Sequence, residues 1–334
     1  MRYLLVRYLI VLCLAATVAF PPVPAAFAAT VAAAAGSMRA VVVVDGHVQI
    51  QSVPKPQPRP GEVRIKVRAV SVNPVDWKKI ASAAPGARLI PGRDLAGVID
   101  AVADPGGPWK VGQAVIAVAP TGSYVEYAIS PVNAVAAKPP QMSFEEAAGL
   151  PIVGETAWRA MVTVANVQAG QRVLIHGGAG GVGSAAVQIA KARGAYVIAT
   201  ASPSHNELLH SLGADQVLDY NSVRFEDKVK NVDVVLNTVD AATTVRSLGV
   251  VKRGGILVSV VGPPPQEQCA AAGIRCAITG SATGAMLKYV SALAARGKLH
   301  IHIDKRWPLE DAAQALELNR QGHTGGKIIL EVSH

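Results

Sequence analysis

From residue 38 onward, apolar and polar positions follow two different rhythms. Between Met38 and about Thr156, short valine-rich runs (AVVVV, EVRIKVRAVSV, GVIDAVA, QAVIAVA and SYVEYAI) are separated by turn signals such as Pro58-Arg59-Pro60-Gly61 and Pro105-Gly106-Gly107. Runs of this length bounded by Pro and Gly predict the strands of a β domain. At Ser143 the rhythm changes. Ser143-x-x-Glu146 predicts a capped helix start, and Leu150-Pro151 interrupts or ends that first segment. From Arg172 strand-like runs (RVLIH, AYVIAT, QVLDY, DVVLNT, GILVSVV, IRCAI) predict a strand-helix alternation, with the helical text SAAVQIAKARG between the first two. That helix carries Lys191 and Arg193 in its last turn and stops at Gly194. Such alternation predicts βαβ units, a parallel sheet and a doubly wound α/β domain. After Gly297 the text turns β-like in LHIHID, a helix LEDAAQALELNRQG begins behind Pro308, and KIILEV closes the chain.

With 334 residues, half of them hydrophobic, the chain can build about two domain cores. The first residues do not belong to either. Arg2 and Arg7 precede the apolar run Tyr8 to Phe20, and Ala26-Phe27-Ala28 fits a small-x-small cleavage site. This predicts a signal peptide over 1–28, an Ala-rich tether over 29–37, export, and no stable membrane span after cleavage. The alternative is a cytoplasmic protein whose true start is Met38. Net charge is +9, and the first 37 residues hold two basic and no acidic side chains, leaving +7. That excess suits an anionic cofactor or substrate. The basic residues are dispersed and aromatics make up only 4%, so no nucleic-acid surface is evident. Cys269 and Cys276 are too few for a four-ligand zinc site, and disulfide and free thiols stay open alike.

The chemistry begins at HGGAGGVGS, residues 176–184, where five of nine residues are glycine. Gly178-x-Gly180-x-x-Gly183 follows a strand and opens a helix, as a dinucleotide fingerprint must. The backbone of Gly178, Ala179, Gly180, Gly181, Val182 and Gly183 would cradle a pyrophosphate at the helix N-terminus. The second strand then ends Ala199-Thr200-Ala201-Ser202, with no acid until Glu207. An acid there would bind the ribose hydroxyls of NAD and repel a 2′-phosphate, so its absence favours NADP(H). Ser202 can bind that phosphate, with His205 or Asn206 adding to it; equally, Ser202 and Asn206 suit helix caps.

These motifs, with VSVNPVDWK (71–79), IPGRDLAGVID (90–100), SFEEAAGLPIVGETAW (143–158), LGADQVLDY (212–220) and GHTGGKIIL (322–330), resemble the medium-chain dehydrogenase/reductase superfamily. The nearest likeness is to its zinc-independent quinone oxidoreductase branch, related to zeta-crystallin. The resemblance runs from Met38 to the C-terminus. It implies a GroES-like β domain over 38–156 and 297–334 around a Rossmann domain over 157–296. Zinc alcohol dehydrogenases of the superfamily have Cys near Pro74 and a His-Glu pair at Arg93-Asp94, so no metal is expected. His300 and His302 lie on one face of a presumed strand, too few for a catalytic zinc.

By the same resemblance Asn73 and Asp76 lie at the nicotinamide and substrate cleft, Thr156 near the nicotinamide, Tyr220 near the adenosine phosphate and Lys327 near the cofactor. Asn237, Thr238, Val261 and Gly262 fall at carboxyl ends of strands, where open α/β sheets bind ligands. Tyr124 and Tyr127 are expected near the cleft, where either hydroxyl could donate to the reduced oxygen. Structural roles stand beside these: a turn for Asn73, a cap for Asp76, packing for Thr156, a half-buried strand aromatic for each tyrosine, and a solvated charge for Lys327. Arg93 departs from the family pattern, and either pairs with Asp94 or recognises an acidic acceptor. The expected activity is hydride transfer from NADPH to a small-molecule quinone or α,β-unsaturated carbonyl. The alternative is a non-catalytic NADPH-binding sensor or crystallin-like structural protein. A homodimer is in character for the family.

Overall fold

The computed structural model describes residues 36–322 and 324–333; the expected signal peptide and all but the last two residues of the tether lie outside them. The valine-rich part supplies β1 (Ser37–Val44), β2 (His47–Pro54), β3 (Glu62–Val72), β4 (Arg88–Leu89), β5 (Asp94–Val102), β6 (Ala114–Val118), β7 (Tyr127–Pro131) and β8 (Val135–Ala137). The alternating part supplies β9 (Arg172–His176), β10 (Tyr196–Ala201), β11 (Gln216–Asp219), β12 (Val232–Asn237), β13 (Val251–Ser259) and β14 (Arg275–Ile278). β15 (Ile303–Pro308) and β16 (Lys327–Glu331) come last. The helices that shape the site are α1 (Pro74–Ala81), α2 (Phe144–Ala148), α3 (Pro151–Trp158), α4 (Gly181–Ala192), α5 (Leu287–Ala295) and α6 (Ala312–Gln321).

Among the described residues the strands form three sheets. One is the small sheet β2-β1-β4. A second runs β15-β16-β3-β5-β6-β8, with β7 also on β3, so the C-terminal strands complete the sheet begun by the first part of the chain. The third, β11-β10-β9-β12-β13-β14, is parallel throughout. Its order is that of a Rossmann domain, and it reverses between β9 and β12, where such sheets bind ligands outside their carboxyl ends. The protein is therefore α/β, a GroES-like β domain joined to a Rossmann-type sheet.

The join is a packed one. α3 continues into a π-helical turn, Arg159–Val164, leading toward β9. One hydrophobic core runs from Ala69, Ala96, Ile116 and Val118 of the β domain through Leu150, Val153 and Ala157 to Val173, Ile175 and Leu236 of the Rossmann sheet. Gly154 brings α3 so close to α5 that an added Cβ would stand 2.5 Å from Val290 Cγ1.

Local signals hold where they are self-contained. The Ser143 hydroxyl accepts from the Glu146 N–H, and the Glu146 carboxylate accepts from the Ser143 N–H, capping α2. Two expectations need correction. In LHIHID the strand starts only at Ile303, because Leu299 and Ile301 turn into the core and the His302 carbonyl caps the Lys327 N–H. His300 and His302 therefore share no strand. In SYVEYAI the strand begins at Tyr127; Val125 makes an isolated bridge to Ala40. The open question about the cysteines is decided for the disulfide, with Cys269 and Cys276 Cα atoms 6.1 Å apart.

Candidate active site and cofactor cleft

A cleft of about 630 Å³ lies between the β domain and the carboxyl ends of β9 and β12. Its polar floor is built by strand register. β16 runs antiparallel to β3 with Ile328 opposite Val72, which sets the Lys327 side chain at the exit of β3. Lys327 Nζ donates to Val72 O at 3.0 Å and to Asn73 Oδ1 at 2.7 Å. The nitrogen of the same amide donates to Asp94 Oδ2 at 2.9 Å. Only this orientation of Asn73 satisfies both charges, with oxygen toward the ammonium and nitrogen toward the carboxylate. Asp94 also accepts from Ser71 Oγ at 2.8 Å and, through Oδ1, from the Ile152 N–H at 2.9 Å, so the first turn of α3 is fastened to the same carboxylate. All three charged or amide side chains are buried. Burial pushes the Asp94 carboxyl up and the Lys327 ammonium down, while the opposite charge of each restrains the other.

Asp76 and Tyr124 were expected at the cleft, and the structure places them behind its floor. Asp76 Oδ2 accepts from the Asn73 N–H at 2.8 Å and from the Tyr124 hydroxyl at 3.0 Å. Tyr124 is fully buried, so its hydroxyl is committed to Asp76 and does not reach a reacting oxygen. Asp76 acts as an inward-facing cap of α1, and burial pushes its carboxyl up to about 7. Tyr127 also stands apart from the cleft lining, under the Lys55 ammonium at 3.6 Å.

Asn73, Thr156, Gly180, Gly181, Val182, Thr238, Val261 and Lys327 do line the cleft. The Thr156 hydroxyl has no hydrogen-bond partner of its own among the described residues, which leaves it for a ligand, whereas Thr238 Oγ1 donates to the His176 carbonyl. Asn237 does not line it. It is fully buried, donating to Asp240 O and Thr244 Oγ1 and accepting from the Val239 N–H, and so shapes the turn after β12. Gly178, Ala179, Gly183 and Gly262 likewise stay outside the lining.

At the glycine turn the fit to a pyrophosphate is testable atom by atom. A Cβ on Gly183 would lie 2.1 Å from the Gly177 carbonyl, so this glycine allows helix to meet strand. A Cβ on Gly180 would meet only Gly177 O, at 3.4 Å, with open cleft beyond. The first N–H groups of α4 point there without intrahelical acceptors, a ready anion site. Ser202 and Tyr220 sit together outside the lining, at the ends of β10 and β11, where the Tyr220 N–H reaches Ala201 O at 3.3 Å. Ser202 Oγ makes no helix cap; it pairs with Ser204 Oγ at 3.0 Å and His205 Nδ1 at 2.8 Å.

Three contributors escaped the sequence reading. Glu155 is fully buried and accepts from the N–H groups of Thr283 and Gly284, clamping the loop 279–284 that forms one wall. Arg159 Nε donates to Thr279 O at 2.9 Å and holds the other end of that loop. Asn319 fixes α6 to α1 by accepting from Trp77 Nε1 at 3.2 Å. An acid inside the otherwise apolar LPIVGETAW was the available signal for the first; the others depend on tertiary approach alone.

Two outcomes follow from this geometry. G180A should keep its stability within about 1 kcal/mol yet bind nicotinamide dinucleotide at least about tenfold more weakly, while G183A should lose several kcal/mol in denaturant unfolding. Equal effects of the two on fluorescence titration and unfolding would contradict the assignment. For Asp76, the folded carboxyl keeps its proton to about 7. An unfolded one releases it near about pH 4. Its contribution is thus full below about pH 4 and lost as pH rises through 7. The stability difference between wild type and D76N should fall between these limits by an amount on the order of a few kcal/mol. His176, which burial pushes down to about 4, titrates in both proteins and cancels. A difference that stays flat across that range would contradict the burial of Asp76.

Comparison with known proteins places this geometry. Residues 59–141 match the family model for the alcohol dehydrogenase GroES-like domain, and residues 212–330 match that for zinc-binding dehydrogenase. The chain is similar to quinone oxidoreductase of Homo sapiens, 32% identical over 298 residues that cover 82% of this chain and 91% of that protein. It is 34% identical to 2-methylene-furan-3-one reductase of Solanum lycopersicum over 298 residues, covering 84% of this chain and 74% of the relative. Among solved structures, quinone oxidoreductase from Coxiella burnetii superposes with a TM-score of 0.79 at 29% identity, over 89% of this chain and all of that one. Around the positions where the resemblance puts zinc ligands, Pro74 or its neighbours and Arg93-Asp94, the Asp94 carboxylate is bonded to Ser71, Asn73 and the Ile152 N–H. The chain belongs to the medium-chain dehydrogenase/reductase superfamily, in its zinc-independent quinone oxidoreductase branch.

Proposed function

We propose that the protein is an NADPH-dependent reductase that passes hydride, without zinc, to a quinone or α,β-unsaturated carbonyl acceptor. The observation that carries this reading is the floor of the cleft. Where the resemblance puts metal ligands, Asn73 and Asp94 are bonded to each other, and Lys327 Nζ spends two of its three N–H groups on Val72 O and Asn73 Oδ1 and keeps the third for a ligand. A floor of that kind can hydrogen-bond an electron-poor carbonyl and offers no route to polarising an alcohol through a metal. Bound NADPH supplies the hydride. The protein's own share is binding and orientation. Gly180, Gly181 and Val182 present backbone to the pyrophosphate, and Asn73 and Thr156 stand at the nicotinamide end. Val72, Ile152, Val153 and Val260 line the reacting region with apolar surface. The preference for the 2′-phosphate is supported by Ser202, whose hydroxyl and neighbouring Ser204 and His205 occupy the place of a ribose-binding acid.

The names of the relatives support the acceptor class: one acts on quinones, another on a methylene-furanone, which is a conjugated ketone. In a panel of small quinones and enones, loss of reduced-nicotinamide absorbance should proceed with NADPH, with kcat/KM for NADPH at least about tenfold above that for NADH. S202D should reverse or abolish that preference, since a carboxylate repels the 2′-phosphate. Tight NADPH binding with no turnover of any acceptor would instead favour a sensor or structural protein, and a preference for NADH would overturn the cofactor assignment.

A further inference from the structure

Arg93 has no function in the network described so far. It follows Gly92, whose φ of +85° and contact with the Tyr124 ring admit no side chain, since a Cβ would stand 2.2 Å from Tyr124 Cδ1. This turn delivers two adjacent charged residues at the entry of β5. Neighbouring side chains in extended backbone leave on opposite sides. Asp94 goes down into the buried floor. Arg93 goes into the cleft, where its Nη2 donates to Ala282 O at 2.9 Å. The two residues do not pair, and Arg93 has no acidic partner among the described residues. Glu155, the acid of α3 that serves the same loop, is committed to Thr283 and Gly284. Among the described residues no Asp or Glu lines the cleft, whereas Lys78, Arg93 and Lys327 do. Of these, Lys327 is held by Val72 and Asn73, and Lys78 lies on the exposed side of α1 near the Trp77 ring.

A guanidinium carries five N–H donors in a planar fork, and one bond to a carbonyl leaves most of that fork open. The fork matches a carboxylate in two parallel bonds. Anchoring by Ala282, on a loop itself clamped by Glu155 and Arg159, holds it in place before a ligand arrives. The phosphate-binding backbone lies elsewhere, at the start of α4, and Ser202 and Tyr220 lie at the ends of β10 and β11. We infer that Arg93 is a specificity-determining residue that selects acceptors bearing a carboxylate beside the reducible bond. This inference rests on the reductase reading above and narrows its acceptor class.

The test compares trans-3-benzoylacrylate, an enone that carries a carboxylate, with its methyl ester, using NADPH as donor. The ratio of kcat/KM for acid over ester should be about ten- to hundredfold higher in wild type than in R93Q, the range for hydrogen bonds to charged groups. R93K should restore part of it. The intrinsic reactivity of the two compounds is common to all three proteins and cancels. In wild type alone, added salt should lower kcat/KM for the acid while leaving the ester nearly unaffected, a readout that does not depend on a variant folding. A ratio that is the same in wild type and R93Q, or acid turnover indifferent to salt, would overturn the role of Arg93 and leave the reductase reading standing. Turnover of neither compound, nor of any acceptor in the wider panel, would overturn the reductase reading and this inference with it.

Discussion

An ammonium group held out of water must be surrounded by acceptors, and the Lys327 side chain is placed where the protein can provide them. Its bonds to Val72 O and Asn73 Oδ1, and the link through Asn73 to Asp94, draw four elements to one point. These are the C-terminal strand β16, the exit of β3 into α1, the entry of β5 and, by the Ile152 N–H, the start of α3. Removing one partner from such a network leaves a buried charge uncompensated, at a cost of about 3–5 kcal/mol. The C-terminal segment is thereby tied to the first half of the chain, and the floor of the cleft cannot be altered without loosening the sheet that carries it.

The rest of the site inherits its geometry from that point. α3 leaves the network, crosses the shared core and delivers Thr156 to the cleft and Glu155 to the loop opposite. Gly154 lets α3 lie against α5, and the π-helical turn after Trp158 carries the chain toward the Rossmann sheet. Because β9 and β12 pair in parallel at the reversal of strand order, their carboxyl ends open onto the same space. The cleft is thus walled by two lobes that share one core, an arrangement suited to a reaction that depends on orientation.

Much of this could be read from the sequence where a signal is local. The alternation of strands and helices, the capping box at Ser143 and the spacing of Gly178, Gly180 and Gly183 are short-range devices, and each took its expected form. Residues that depend on approach between distant segments were less legible. Tyr124 reads as a cleft hydroxyl, yet Asp76 lies 48 positions away in sequence and 3.0 Å away in space, and takes that hydrogen bond. Asn237 ends a strand where ligands bind, but its side chain is needed by its own turn. In LHIHID the residues alternate as a strand would, though burial of Leu299 and Ile301 in the shared core outweighs strand pairing. In the sequence Asp94 reads only as a missing zinc ligand; its role as the carboxylate under Asn73 depends on Lys327 arriving from the far end of the chain.

An amide between an ammonium and a carboxylate thus forms the floor of the cleft, and on the reading proposed above the chemistry left to that floor is hydride transfer to an acceptor already polarised by conjugation. The measurement that tests this most directly is metal analysis of the purified protein paired with NADPH-driven quinone reduction before and after exhaustive dialysis against a chelator. The account predicts zinc far below one equivalent and an unchanged rate. Stoichiometric zinc, with activity lost on chelation and restored by adding zinc back, would contradict it.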